Sequence, residues 1–370
     1  EVVNDPDVQI VVELIGGYEP AKSLVLSAIE KGKHVVTANK ALIAVHGNEI
    51  FQKAYEKKVG VAFEASVAGG IPIIKALREG LAANSIEWIA GIINGTGNYT
   101  LTEMWDKQRA FGDVLAEAQR LGYAEADPAF DIEGTDAAHK LTILASIAYG
   151  IPFQFDKAYT EGIVSITTQD IKYAEELGYR IKHLGITKLT EKGVELRVHP
   201  TLLPARQMLA SVNGVMNAVM VEGDAVGSTL YYGAGAGSEP TGSAVVADLI
   251  DLARQIRSNA EFVPLTLSGV NGPEILSMDD VVTGYYLRMQ ALDQPGVLAD
   301  VTKILGEAGI SIEAIIQKEP HGGEEIATVI MLINRVQEKQ MNQALEAIES
   351  LESIRGSVTR IRVEALDYID

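Results

Sequence analysis

The chain opens with short apolar strands separated by amphipathic helices. Gln9 to Ile15, QIVVELI, reads as a strand ending at Gly16-Gly17, and Pro20 to Lys31 as an amphipathic helix. KHVVTA is a second strand, Asn39-Lys40 starts another helix, and Val59 to Phe63 is a third strand. Alternation at this spacing predicts a parallel α/β sheet. No G-x-G-x-x-G follows an opening strand, although dinucleotide-binding folds carry that fingerprint in their first βα turn. The sequence starts in mid-pattern at EVVNDPDV, so the expectation is that a first βαβ unit is missing from it.

The pattern then changes. Glu64 to Ile74, EASVAGGIPII, carries Ala68-Gly69-Gly70, which permits close backbone approach. Pro72 suits the first turn of a helix IPIIKALREGL. SIEWIAGIIN is a long half-buried strand, followed by Gly95-Thr96-Gly97-Asn98. That passage either offers backbone N–H groups to an anion or is a plain tight turn. Further on, ITTQDIKYAEELGYRIKHLG reads as a helix and VELRVHP as a strand. Leu209 to Val221 and STLYYGAGAGSEPTGSAVVADLIDLAR return to strand, glycine loop and helix. Gly233, Gly235 and Gly237 alternate with small residues, as in a flexible cover over a cofactor or substrate, or in a turn set by packing.

A polar junction, Asn271-Gly272-Pro273 with Ser277 to Asp280, precedes a third pattern from about Tyr285. YYLRMQAL alternates as a strand, DQPGVLADVTKILGEAG is a turn and an amphipathic helix, and ISIEAIIQKE and EEIATVIMLIN are strands. EKQMNQALEAIESL is a helix and SVTRIRVE a last strand. The order βαββαβ is ferredoxin-like. Small domains of this kind pair edge strands, so self-association is expected.

With 370 residues and 47% hydrophobic content, the chain can build two or three domains with their own cores. It has no apolar run of transmembrane length and no signal-like start. A net charge of -19 without a basic stripe argues against nucleic acid or an anionic membrane as partner. Cysteine is absent, which removes disulfides, thiolate metal sites and cysteine nucleophiles. A cytoplasmic location is the simplest fit. The six histidines are scattered, and none shows zinc-ligand spacing.

The chemistry concentrates in Leu121 to Leu141, LGYAEADPAFDIEGTDAAHKL, which reads as an acidic loop running into a buried helix. Gly134 and Thr135 sit where the helix begins. Asp136 falls in its first turn, and Lys140 lies one turn on along the same face. Glu125 and Asp131 can fold back from the loop. The layout suits a small zwitterion, with carboxylates for its ammonium and a lysine for proton transfer. Spacing alone equally admits a solvated acidic loop with an i,i+4 ion pair. On a regular helix His139 points roughly 100° away from Lys140, which gives it a structural role.

Taken together, these stretches resemble homoserine dehydrogenases of the long type that bear an ACT domain. LGYAEADPAFDIEGTDAAHK matches the family pattern G-Y-x-E-x-D-P-x-x-D-x-x-G-x-D-x-x-x-K, and VVTANKAL, EASVAGGIPII, INGTGNY and YYGAGAG fall in the family's order. DQPGVLADVTKILGEAGISIEAI resembles an ACT domain, a module that usually binds amino acids. The resemblance implies a fold of mixed α/β and α+β class. It comprises the remainder of a Rossmann nucleotide-binding domain (1–63, with a returning segment near 233–260), an α+β catalytic and dimerisation domain (64–232) and a ferredoxin-like ACT regulatory domain (285–370).

The implied reaction is reversible interconversion of L-aspartate 4-semialdehyde and L-homoserine with NADP or NAD, towards threonine and methionine. Lys140 is then the implied proton donor and acceptor. Glu125 and Asp136 would hold the substrate ammonium, with Asp131 supporting and Lys40 beside both nicotinamide and substrate. Gly16, Gly122, Gly233, Gly235 and Gly237 would approach the cofactor. Glu64 with Val67, Gly69 and Ile71 matches a site for Na⁺ or K⁺. Threonine is the implied effector, joined by Asp293 to Leu298, and a homodimer or homotetramer is expected. Removing the chain from about Tyr285 should then abolish inhibition and spare activity. The stretch that decides between NAD and NADP is not in this chain.

Two rival readings share part of this pattern. Aspartate-semialdehyde and glyceraldehyde-phosphate dehydrogenases can share the layout but need a cysteine nucleophile, which the chain lacks. A non-catalytic amino-acid sensor built on the ACT module would bind an amino acid without reductase activity.

Overall fold

A computed structural model describes residues 1–258, 272–318 and 325–366. Asn271 of the polar junction, residues 259–260 of the returning segment, residues 319 and 324 at two strand ends, and the last four residues lie outside them.

The N-terminal unit follows the alternation closely: β1 (Ile10–Glu13), α1 (Ala21–Glu30), β2 (His34–Thr37), α2 (Lys40–Lys57) and β3 (Val61–Ala62). The strands form a parallel sheet in the order β1-β2-β3. Ala21, Val25, Ala28 and Ile29 put one face of α1 against it. β1 stops before Leu14 because the Glu13 carboxylate accepts the N–H groups of Ile15 and Gly16, which turns the chain out of the sheet. Asn39 caps α2 by accepting the Leu42 N–H.

The expected helix IPIIKALREGL forms only one regular turn, α3 (Ile73–Lys75), and then widens over 76–80. The Leu81 N–H bonds the Ala76 carbonyl five residues back, and that wider turn buries both Leu77 and Leu81. The chain continues through β4 (Ile86–Ile92), α4 (Gly95–Lys107), α5 (Phe111–Arg120), α6 (Ala129–Ile132), α7 (Thr135–Tyr149) and β5 (Tyr159–Thr160).

The next segment corrects the sequence reading. ITTQDIKYAEELGYRIKHLG is helical only in α8 (Thr168–Glu176); β6 (Tyr179–Thr190) takes the rest and pairs along its length with β7 (Gly193–Pro204). Gly178 at φ +82° ends the helical stretch. Residues 181–187 are buried without a break, so no alternation marks them as strand. The remaining elements are β8 (Met216–Gly223), β9 (Gly227–Ala234), α9 (Ser238–Ser258), β10 (Val282–Leu292), α10 (Val297–Glu307), β11 (Ile312–Gln317), β12 (Ile326–Gln337), α11 (Glu338–Glu349) and β13 (Ile354–Val363).

The ferredoxin-like order appears as β10-α10-β11-β12-α11-β13, with strands side by side as β11-β12-β10-β13. This unit does not stand apart. β13 pairs in parallel with β7 through Arg362 to Thr201 and Val363 to Leu202. One sheet therefore runs β11-β12-β10-β13-β7-β6-β4-β8-β9, with β5 on β7. Tyr286, Ile330, Leu332 and Ile361 share a core with Leu101, Ile171 and Ile181. The junction also buries charge. Arg362 donates to Glu338 of α11 and to Glu161, and Arg197 of β7 donates to Glu364 at 2.7 Å. Removal from Tyr285 onward would strip core and take Arg288 from the fully buried Asp170, so it should cost stability as well as the regulatory unit. No described helix is long and apolar enough to cross a membrane.

Candidate active site

A cleft of about 480 Å³ opens where α2, α4, the loop before α7 and the 234–237 loop converge. Lys40, Asn94, Thr96, Gly122, Glu125, Asp131, Asp136, Lys140, Asn217, Gly235 and Gly237 all line it. The structure thus brings Lys40, Gly122, Glu125, Asp131, Asp136, Lys140, Gly235 and Gly237 of the sequence reading into one cleft.

α7 carries the central pair. Gly134 precedes it at φ +91°, and a Cβ there would lie 3.1 Å from Val198 and 3.2 Å from the His183 ring. The positive φ and these close neighbours favour glycine at this turn into α7. Residues 136–146 of α7 are all buried, so Lys140 projects from a helix locked in core. Its ammonium donates to Asp136 Oδ2 at 2.6 Å and to the Ile93 carbonyl at 2.7 Å. Burial pulls the Lys140 pKa below the ordinary lysine value; the Lys40 charge lowers it further and Asp136 opposes both. Lys40 reaches the other oxygen of Asp136 at 3.1 Å. Burial by itself would raise Asp136. The two ammoniums and the hydrogen bonds from Lys140 and Asn94 nevertheless hold its pKa well below the usual carboxylate range.

Asp131 accepts from Asn94 Nδ2 at 2.7 Å and from the Thr96 hydroxyl at 3.3 Å. Burial raises its pKa, with Asp136 adding to the rise and Asn94 resisting it. Glu125 is exposed on the cleft rim. Among the described residues its carboxylate makes no ion pair, whereas Asp136 is already shared by two lysines. Gly122, at φ +76°, lines the cleft beside it. Gly233 does not line it: the residue sits within β9, and a Cβ there would meet Ile71 at 3.1 Å. Gly16 also lies off the cleft, at φ +82°. Its neighbour Gly17 accepts from Asn39, beside Lys40.

Two asparagines escaped the sequence reading. Asn94 links both acids, since its Nδ2 also reaches Asp136 at 2.8 Å, while its Oδ1 caps α4 through the Gly97 N–H. The INGTGN stretch reads from sequence only as an anion-binding passage or a tight turn, which shows neither the cap nor the bridge. Asn217 is 1% exposed in the cleft wall, and nothing in its β-strand context marks it. His139 behaves as expected: its ring stacks on Phe155 at 4.0 Å, and burial pushes its pKa down to about 4.

Glu64 is 3% exposed and accepts the N–H groups of Ile74 and Lys75. Burial pushes its pKa up to about 7. Lys75 directs its ammonium to Asp248 and Asp251 instead. Among the described residues Glu64 is thus a buried carboxylate without an ion-pair partner, and the Ile71 carbonyl of the expected cation site already accepts the Ile73 N–H at 2.7 Å. Among the described residues no group of three or more His, Cys, Asp or Glu could hold a metal ion.

A parallel sheet, a glycine loop and a desolvated lysine among acids fit a nicotinamide-dependent oxidoreductase with an appended ferredoxin-like module. Comparison with known proteins agrees. Family models for homoserine dehydrogenase match residues 72–250, for its NAD-binding domain residues 1–64, and for the ACT domain residues 285–353. The homoserine dehydrogenase of Pseudomonas aeruginosa is 63% identical over 99% of this chain and 86% of its own length. That of Neisseria gonorrhoeae is 56% identical over 99% and 85%. The crystal structure of a homoserine dehydrogenase from Thiobacillus denitrificans superposes with a TM-score of 0.94 at 61% identity, covering 98% of this chain and 84% of that one. A hyperthermophilic archaeal homoserine dehydrogenase solved with NADPH superposes at 0.59 with 29% identity, over 67% and 72%. The chain belongs to the homoserine dehydrogenase family. It is an NAD(P)-dependent oxidoreductase of amino-acid biosynthesis, and the sensor-only alternative falls because the match runs through the catalytic region.

Proposed function

We propose that Lys140 holds the proton exchanged at the C4 oxygen of substrate. The observation that carries this is a desolvated ammonium, fixed by Asp136 and the Ile93 carbonyl at the head of a cleft large enough for substrate and nicotinamide. NADPH or NADH, when bound, supplies the hydride. In the reducing direction Lys140 stabilises the developing alkoxide and protonates it. In the oxidising direction the lysine must first be neutral, so oxidation of L-homoserine improves as pH rises. Glu125, free on the rim, is the main partner for the substrate ammonium. Asp136 completes that site while orienting Lys140, and Asp131 supports it through Asn94. Lys40 sits between substrate and nicotinamide. Gly122, Gly235 and Gly237 give the cofactor close backbone approach, with Gly16 in the turn after β1 and Gly233 in β9 behind them. Glu64, with the Val67, Gly69 and Ile71 carbonyls, would hold Na⁺ or K⁺, which neutralises the carboxylate and stiffens the turn under the 234–237 loop.

The same reading assigns 1–63 and 233–260 to nucleotide binding. Supporting it, Val245 and Leu252 of α9 pack on Val36 of β2. Residues 64–232 carry catalysis and dimerisation, and 285–370 regulation. Threonine is the effector, at Asp293 to Leu298, in a cytoplasmic homodimer or homotetramer; β9 leaves one edge of the long sheet open for a second copy. Lys140→Ala should lower turnover by roughly 10²–10⁴-fold with the fold intact. Near-normal turnover would remove Lys140 from the mechanism.

A further inference from the structure

Asn217 stands out among the polar residues of the cleft. Its side chain is buried, and among the described residues neither its amide oxygen nor its amide nitrogen has a hydrogen-bond partner. Every other polar side chain described above in the buried floor is engaged by a neighbour. Buried amides without partners are rare in native proteins and mark a place where something else is bound.

The surroundings are shaped around it. Gly235 lies against the amide so closely that a Cβ there would fall 2.1–2.4 Å from its Cγ, Oδ1 and Nδ2. Gly95, the first residue of α4, faces it from another side, with its Cβ position 3.8 Å from Oδ1. The Gly70 N–H ties the Ala234 carbonyl to the neighbouring turn at 3.0 Å. Backbone without side chains therefore converges on one amide.

We infer that Asn217 recognises the carboxamide of the nicotinamide ring and so fixes which face of the ring meets the substrate. A primary amide sets an NH₂ donor beside a C=O acceptor, and a carboxamide returns the same pair in reverse. The alternatives in this cleft are charged. A neutral amide cannot offset the charge of a buried carboxylate or ammonium, whereas the acids and lysines of α2, α6 and α7 can. Gly235 seals the amide here, so the 234–237 segment gives way as the ring enters, and its small residues leave little to displace. Asn217 is thus a specificity residue for the cofactor's reactive end.

The inference rests on the reading that this cleft holds the nicotinamide, and the test separates the two. L-homoserine oxidation is measured with NADP⁺ or NAD⁺ and with the 3-acetylpyridine analogue, which keeps the acceptor oxygen and lacks the N–H donor. The preference for the natural cofactor, as a ratio of kcat/KM values, should fall by at least about tenfold in Asn217→Leu relative to the parent enzyme. Unliganded Asn217→Leu should melt no lower than the parent, because no protein hydrogen bond is lost, while its rise in Tm with natural cofactor should shrink. Asn217→Ala, which removes the acceptor and the donor together, provides the same comparison if the leucine variant misfolds. An unchanged preference ratio in a folded variant, with Lys140→Ala inactive, overturns the role of Asn217 alone. An unchanged ratio with Lys140→Ala fully active overturns the cleft reading as well.

Discussion

At the scale of residues, Asp136 decides how the site titrates. It sits between Lys40 and Lys140, and its charge is the main force holding the Lys140 pKa up against burial. Asp136→Asn removes that support. The Lys140 pKa should fall further, so the alkaline rise in L-homoserine oxidation should move to lower pH while the KM for substrate increases. A pH–rate profile checks this, and a shift to higher pH would contradict it. Asp136 also ties stability to pH. Its folded pKa lies below the unfolded value of about 3.9, so its contribution is present above that pH and is lost as pH falls through the folded value. The Asp136–Lys140 pair was legible in the sequence because helix geometry alone puts i and i+4 together. Asn94 and Asn217 were not, because their roles arise only when separate segments meet.

At the scale of elements, the turn that starts α7 has a backbone that favours glycine. Gly134→Ala would strain a backbone at φ +91° and push into Val198 and His183. The expected cost is about 1–3 kcal/mol of stability, read by chemical denaturation, with a loss of turnover as Asp136 is displaced. Unchanged stability and rate would show that the turn tolerates a side chain. The alternating N-terminal strands and the βαββαβ order were readable because each sheet face there has a distinct character or a clear turn. β6 was hidden because both its faces are buried, and α3 because a wide turn satisfies leucine burial as well as a regular helix does.

At the scale of the molecule, the C-terminal unit is wired into the catalytic half. Arg362 of β13 bridges Glu338 of α11 and Glu161. The Ile163 N–H then bonds the Ile132 carbonyl at 2.9 Å, in the segment that leads into α7. The chain order revealed a regulatory module but not this junction, since strand pairing between distant segments leaves no local pattern. A chain ending at residue 280 should therefore lose thermal stability and activity together; an active, stable product would show that the junction is dispensable. The central claim, however, concerns a single amine. The most direct measurement is chemical rescue: kcat/KM of Lys140→Ala for aldehyde reduction, titrated with small primary amines such as methylamine. The account predicts activity that rises with the concentration of protonated amine and no such rise in the parent enzyme. A folded Lys140→Ala variant that turns over at the parent rate without added amine would contradict it.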